Sequence, residues 1–250
     1  MKNKLLKKIG GLFGYRLIEK RVYKNNKYLL ERSTLNIDKL LDAIFSINSI
    51  KNLIQIGAND GLSFDNLNHY IKKYKCHSLL VEPIKNKFQS LKENYKNLDF
   101  IEFENSAVTV GDEINSLYKV DYKYEKYYGD HATAIQSFDK SHLLNHGIKK
   151  SHITSEKVNS IKIIDLIEKY KIDELDLLFL DCEGYDGNIV IDFLLTVKKS
   201  PIIIFEFVHI EKDIFEKVLN ELDNKNYLYF SINENIICYP KNKEIIIKLN

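Results

Sequence analysis

Leu53-Ile54-Gln55-Ile56-Gly57-Ala58-Asn59-Asp60-Gly61 is an apolar run that ends in a glycine-bracketed turn. Leu67, Tyr70, Ile71 and Tyr74 follow at helical spacing, and a second apolar run, His77 to Val81, ends in Glu82-Pro83. Strand, tight turn, helix, strand and carboxylate in that order build a nucleoside pocket in an α/β protein. The turn lets a ligand approach the backbone, and the carboxylate accepts hydrogen bonds from ribose hydroxyls. The spacing is not G-x-G-x-x-G, and no second glycine opens the backbone to a pyrophosphate, which argues against a nicotinamide dinucleotide.

Outward from this stretch the pattern stays regular. Ser33 or Thr34 can cap a helix carrying Ile37, Leu40, Leu41, Ile44 and Phe45 on one face. Ile84, Phe88, Leu91 and Tyr95 predict a second crossover helix, and Phe100 to Phe103 a third strand. Leu175 to Leu180 and Pro201 to Phe207 are almost wholly apolar, as strands buried on both faces of a parallel sheet must be. Helices are predicted over Ile161 to Tyr170, around Ile189 to Val197, and around Phe215 to Leu222. Tyr227 to Ile232, Ile236 to Tyr239 and Glu244 to Leu249 predict antiparallel edge strands. Gly111 to Lys157 has a poor pattern, polar and rich in Tyr and His, with short alternating pieces such as Thr133 to Phe138; an insertion this long is expected to cover and read a substrate.

Composition bounds the class. The chain has 250 residues, 44% hydrophobic and 29% charged, with a net charge of +2. That describes one globular domain and gives no reason to expect nucleic acid as a partner. Cys76, Cys182 and Cys238 are far apart and form no C-x-x-C pair, so they read as reduced thiols of a cytoplasmic protein. No apolar run reaches the ~18 residues that span a bilayer. Residues 1–32 form a basic arm interrupted by Gly10, Gly11 and Gly14; it suits packing on the domain or on a second subunit, with weak membrane-surface contact as the alternative. The domain proper runs over 33–250.

Several separated blocks together resemble the FkbM-type family of S-adenosylmethionine-dependent O-methyltransferases. They are Ile56-Gly57-Ala58-Asn59-Asp60-Gly61, Val81-Glu82-Pro83, Asn105-Ser106-Ala107-Val108, Ile163-Ile164-Asp165-Leu166-Ile167, and Leu178-Phe179-Leu180-Asp181-Cys182-Glu183-Gly184. The resemblance implies a class I methyltransferase fold, Rossmann-like: a mostly parallel seven-stranded sheet with helices on both faces. It implies S-adenosyl-L-methionine as cofactor, held by Gln55, Gly57, Ala58, Asn59, Asp60, Gly61, Glu82, Pro83, Ser106, Ala107 and Asp181. Gln55 departs from the pattern, since the family's position is usually acidic and helps hold the methionine ammonium.

Methyl transfer to a hydroxyl needs alignment and a way to remove a proton. Candidates for that work are Asp181, Glu206, His209 and, in the insertion, His131. Asp181, Glu206 and His209 are also candidate ligands of a divalent ion. His142, His146 and His152 read as surface residues, and Glu183 reads equally as a helix-capping group. The expected acceptor is a small hydroxylated molecule, a sugar or nucleotide-activated sugar for a surface polysaccharide. The alternatives are a small natural product, a non-catalytic nucleoside-binding module, and a nicotinamide-dependent nucleotide-sugar enzyme. That last reading has only Tyr122-x-x-x-Lys126 and Tyr23-x-x-x-Lys27 behind it, matches expected by chance in a Tyr- and Lys-rich chain.

Overall fold

Period-two burial organises the molecule. In the computed structural model, which describes residues 36–111, 116–128 and 135–241, strands β1 (Asn52–Ile56), β2 (His77–Val81), β3 (Ile101–Glu104), β9 (Leu177–Leu180), β10 (Ile202–Glu206), β11 (Tyr227–Ile232) and β12 (Asn235–Pro240) form one seven-stranded sheet. Its order is β11-β12-β10-β9-β1-β2-β3. The β1–β2, β2–β3, β1–β9 and β9–β10 ladders are parallel; β12 is antiparallel to both β10 and β11.

Ile54, Ile56, Leu79, Val81, Leu178, Leu180, Ile203 and Phe205 share one apolar layer. Against it pack Leu166 of helix α5 (Ile163–Lys169), Phe193 of α6 (Asp186–Thr196) and Leu222 of α7 (Lys212–Asn224). The alternate residues Leu53, Leu80, Leu177, Phe179 and Ile204 point to the opposite face and are buried as well, so both faces are covered. Each such side chain contributes about 1.5–3 kcal/mol on burial. The remaining helices are α1 (Ile37–Ile47), α2 (Asn68–Tyr74) and α3 (Lys85–Asn94); Phe45 of α1 stacks on Tyr70 of α2 at 5.0 Å.

Two segments differ from the expectation. The helix predicted from Ile161 starts at Ile163, because Ser160–Ile161 (β8) is extended and pairs with Ala107–Val108 (β4). The poorly patterned insertion contains an antiparallel ladder in which β5 (Ser116–Val120) pairs with β6 (Gln136–Ser137), inside the alternating piece noted in the sequence, and with β7 (Ile153–Lys157). Helix α4 (Lys140–Asn145) also belongs to it, and Val120, Ile135, Leu143 and Ile148 give it a small core of its own. The basic arm, the caps Ser33 and Thr34, His131 and the run Glu244 to Leu249 lie outside the described residues. No helix among the described residues is long and apolar enough to cross a membrane.

Candidate functional site

The carboxyl ends of β1, β2 and β9 meet at one point. The Gly57 and Ala58 N–H groups both donate to the Val81 carbonyl at 3.0 Å, and the Asp181 N–H donates to the Ile56 carbonyl at 3.0 Å. Gly57 has φ +86°, and a Cβ there would stand 1.9 Å from the Asp181 carbonyl oxygen. Only glycine permits that approach. Asn59 takes the left-handed conformation, φ 49°, that its residue type tolerates. Beyond these strand ends lies a cleft of about 840 Å³, including its open mouth. Its walls include Gln55, Gly57, Ala58, Asn59, Glu82, Pro83, Ser106, Ala107 and Asp181, with Leu117, Gln136 and Phe138 contributed by the insertion. Asp60 and Gly61 are not among its walls. Asp60 instead holds the turn, accepting from the Leu62 and Ser63 N–H groups at 2.9 and 2.7 Å.

Glu82 is 3% exposed. Its two oxygens accept from the Asn59 N–H at 3.0 Å and the Ile84 N–H at 2.8 Å. Burial pushes its pKa up to about 7, against the pull of those two N–H groups and of Lys87. Asn105 fixes the neighbouring chain by donating to the Glu82 and Pro83 carbonyls at 2.8 and 3.0 Å. Ser106 donates to Glu104 at 2.6 Å, and Lys169 and Tyr170 bind the same carboxylate.

Gln55 is not left to act alone. Its amide donates to Asp65 Oδ1 at 3.1 Å, and Asp65 also lines the cleft. Burial raises the Asp65 pKa, opposed by hydrogen bonds from Leu67 and Gln55. The Gln55 Oε1 atom is buried without a partner. An orphan acceptor beside a desolvated carboxylate is a place for a cation, and an ammonium satisfies both. Asp65 was missed in sequence because it sits in a loop ten residues past Gln55, outside any periodic element.

A second polar group lies at the ends of β9 and β10. Burial, then the charge of Glu183, raises Asp181 to about 7; burial, then the charge of Asp181, raises Glu206 to about 8. Asp186, fully buried and bonded to the Cys182 N–H at 3.2 Å, is likewise raised to about 7 by burial and by Asp181. Glu206 and His209 do not line the cleft, but Glu183 does. The Glu183 carboxylate meets His142 Nε2 at 3.1 Å. The His209 ring lies 4.7 Å from His142 and 5.1 Å from His146, centre to centre. Desolvation and the two other imidazoles lower the His209 pKa. His142 is therefore half-buried in a cluster rather than a surface residue, and His209 gathers with it rather than forming a trio with Asp181 and Glu206. The available signal was the spacing His142-x-x-x-His146, which places two imidazoles on one helical face.

A parallel sheet closed by an antiparallel edge, with a cleft at its strand ends, is the class I methyltransferase fold. The FkbM methyltransferase domain model matches residues 55–229, and the chain belongs to that family. It is an enzyme that uses S-adenosylmethionine as methyl donor. No curated protein matches the chain in sequence. Among solved structures, the FkbM methyltransferase of Methylobacillus flagellatus KT is 13% identical with a TM-score of 0.43; the match covers 76% of this chain and 43%, under half, of that one. The O-methyltransferase of Bacillus cereus in complex with SAH is 11% identical (TM-score 0.43; 90% and 93% covered). The ribosomal protein L11 methylase of Lactobacillus delbrueckii subsp. bulgaricus is 10% identical (TM-score 0.42; 82% and 78% covered).

Proposed function

We propose that the enzyme methylates a hydroxyl of a carbohydrate, with a nucleotide-activated sugar as the leading acceptor. The bound cofactor supplies an electrophilic methyl group on a sulfonium. Glu82 takes the ribose hydroxyls, Ser106 and Ala107 border the base, and Asp65 with Gln55 Oε1 takes the methionine ammonium. The orphaned, buried Gln55 oxygen carries this assignment, because a polar atom left unpaired in a protein interior costs free energy until a donor arrives. Asp65 from the adjacent loop sets a carboxylate beside Gln55, so the lack of an acidic residue at position 55 no longer favours a non-catalytic binding module.

Asp181 follows directly on β9 at the cleft, and Glu206 ends the neighbouring β10. Asp181, the one of the two that lines the cleft, holds the acceptor hydroxyl and takes its proton as the new O–C bond forms and the methyl–sulfur bond breaks, its electron pair staying on sulfur, while Glu206 interacts with Asp181 from outside the cleft. A wall that carries Asp181 and Glu183 suits a hydroxyl-rich acceptor better than an apolar one. Leu117, Gln136 and Phe138 bring the insertion to the same cleft, where it reads the acceptor.

The test is release of adenosylhomocysteine in a screen of nucleotide sugars, free sugars, polyketides and peptides. Turnover with a sugar supports the reading. Turnover confined to a polyketide or peptide overturns it.

A further inference from the structure

We propose that His142, His146, Glu183 and His209 bind a divalent transition-metal ion of the zinc class at the rim of the cofactor cleft. Each residue offers one ligand atom, and the four atoms all lie within 4.8 Å of one another. Two ligands of one tetrahedral ion of this class stand about 3.4 Å apart at a bond of about 2.1 Å. Closing the cluster onto an ion therefore takes side-chain movements of well under one helical turn, without moving a strand. The donor set selects the metal. Imidazole nitrogens with one carboxylate suit zinc, iron, cobalt or nickel, whereas magnesium and calcium take oxygen ligands.

The backbone brings these groups together from separate elements. His142 lies on α4, and His146 is the residue that ends it. Four residues apart, they face the same side of the helix. Asp139 caps that helix, accepting from the Ser141 N–H at 2.8 Å. Glu183 stands in the turn after β9 with φ 49°, a conformation uncommon for its residue type. Gly184 follows at φ +97°, and a Cβ there would meet the His209 carbonyl oxygen at 2.8 Å. The glycine thus lets the chain after β10 close on the turn after β9, which seats His209 beside Glu183. One carboxylate needs one imidazole partner, which His142 already supplies at 3.1 Å. His146 and His209 bring two more ligand atoms within 4.8 Å of that pair, which makes the four that a zinc-class ion takes.

Glu183 also borders the cleft, so an acceptor oxygen there reaches the ion as a fifth ligand, an expansion that ions of this class allow. That second role rests on the proposed methylation of a hydroxyl; the metal site does not.

The full chain, without a polyhistidine tag and freed of metal by chelation, is titrated with Co2+ alone. The expected result is about one equivalent bound with a visible d–d band, displaced by Zn2+ and insensitive to Mg2+. His146 is exposed, so H146A keeps its fold, checked by circular dichroism, and binds Co2+ at least about tenfold more weakly; H142A does the same. Absence of stoichiometric binding to the natural chain overturns the proposal, as does a band unchanged in both variants. Adenosylmethionine binding is measured by calorimetry on the same metal-free sample. Cobalt binding without cofactor binding leaves the site standing and removes the methyl-transfer reading; cofactor binding without cobalt does the reverse.

Discussion

At the scale of one residue, the ribose contact proposed for Glu82 would couple cofactor binding to pH. Its ordinary value is 4.5, and burial raises it to about 7, with Asn59, Ile84 and Lys87 pulling down and Glu156 pushing up. A carboxyl raised by folding takes up a proton that the unfolded chain does not hold. Stability from this group is therefore greatest below pH 4.5 and falls as pH rises towards 7, by on the order of 3 kcal/mol. In the proposed complex the ribose hydroxyls donate to the anion, so binding would lower the pKa and expel the proton. At pH 7 adenosylmethionine should release about half a proton through Glu82, read as a dependence of calorimetric enthalpy on buffer ionisation heat. Affinity should then decline by up to tenfold per unit as pH drops below 7. E82Q should lose that proton release and bind roughly ten- to a hundredfold more weakly, since hydrogen bonds to a charged group contribute about 1.5–3 kcal/mol. Unchanged release in E82Q would move the proton to another group. Asp65 makes a separate prediction. D65N should weaken adenosylmethionine about tenfold or more yet leave methylthioadenosine, which lacks the amino-acid moiety, bound as before. Equal losses for both ligands would remove Asp65 from the ammonium site.

At the scale of the element, the turn from β9 into α6 and the short helix α4 decide what faces the cleft. G184A adds a Cβ to a residue at φ +97° and places it 2.8 Å from the His209 carbonyl. The expected cost is about 1–3 kcal/mol, read as a lower denaturation midpoint at unchanged m-value. D139A removes the cap of α4 and should cost about 1 kcal/mol by the same measurement. A midpoint within experimental error of the natural chain would show that the turn relaxes, or that the cap is replaced. The same elements explain what was legible in the sequence. β9 and β10 announce themselves because both faces of each are buried, leaving an unbroken apolar run. Glu82 and Asp181 were legible with them, because each follows directly on the last residue of such a strand. Helix α4 has six residues and buries only Leu143, too little to leave a period. Its histidines therefore looked like solvated loop residues, and Asp65 was hidden for the same reason. Ile161 misled in the opposite direction: it fits the helical spacing of α5 but is claimed by its ladder with Val108.

At the scale of the whole molecule, the cleft draws on segments far apart in the chain. Gln55, Glu82, Ser106 and Asp181 come from the ends of β1, β2, β3 and β9, which stand side by side only once the sheet is paired. Glu104 ties this arrangement across layers, since Ser106, Lys169 and Tyr170 all donate to it from the cleft wall and from α5 and its C-terminal end. A ligand touching all four strand ends can bind only the folded chain, so its binding free energy is added to global stability rather than to one loop. At a hundredfold excess over its dissociation constant the added stability is about 2.7 kcal/mol. For a domain of this size that corresponds to a rise of roughly 5–10 °C in melting temperature. Adenosylhomocysteine should produce that rise in a thermal melt, and E82Q should need a correspondingly higher concentration to match it. NAD should produce none, because the turn after β1 lacks the glycine spacing that admits a pyrophosphate and places Asn59 where that backbone would have to open. A shift with NAD and none with adenosylhomocysteine would mean that the sheet carries a different nucleotide, and the roles given to Glu82 and Asp65 would fall with it.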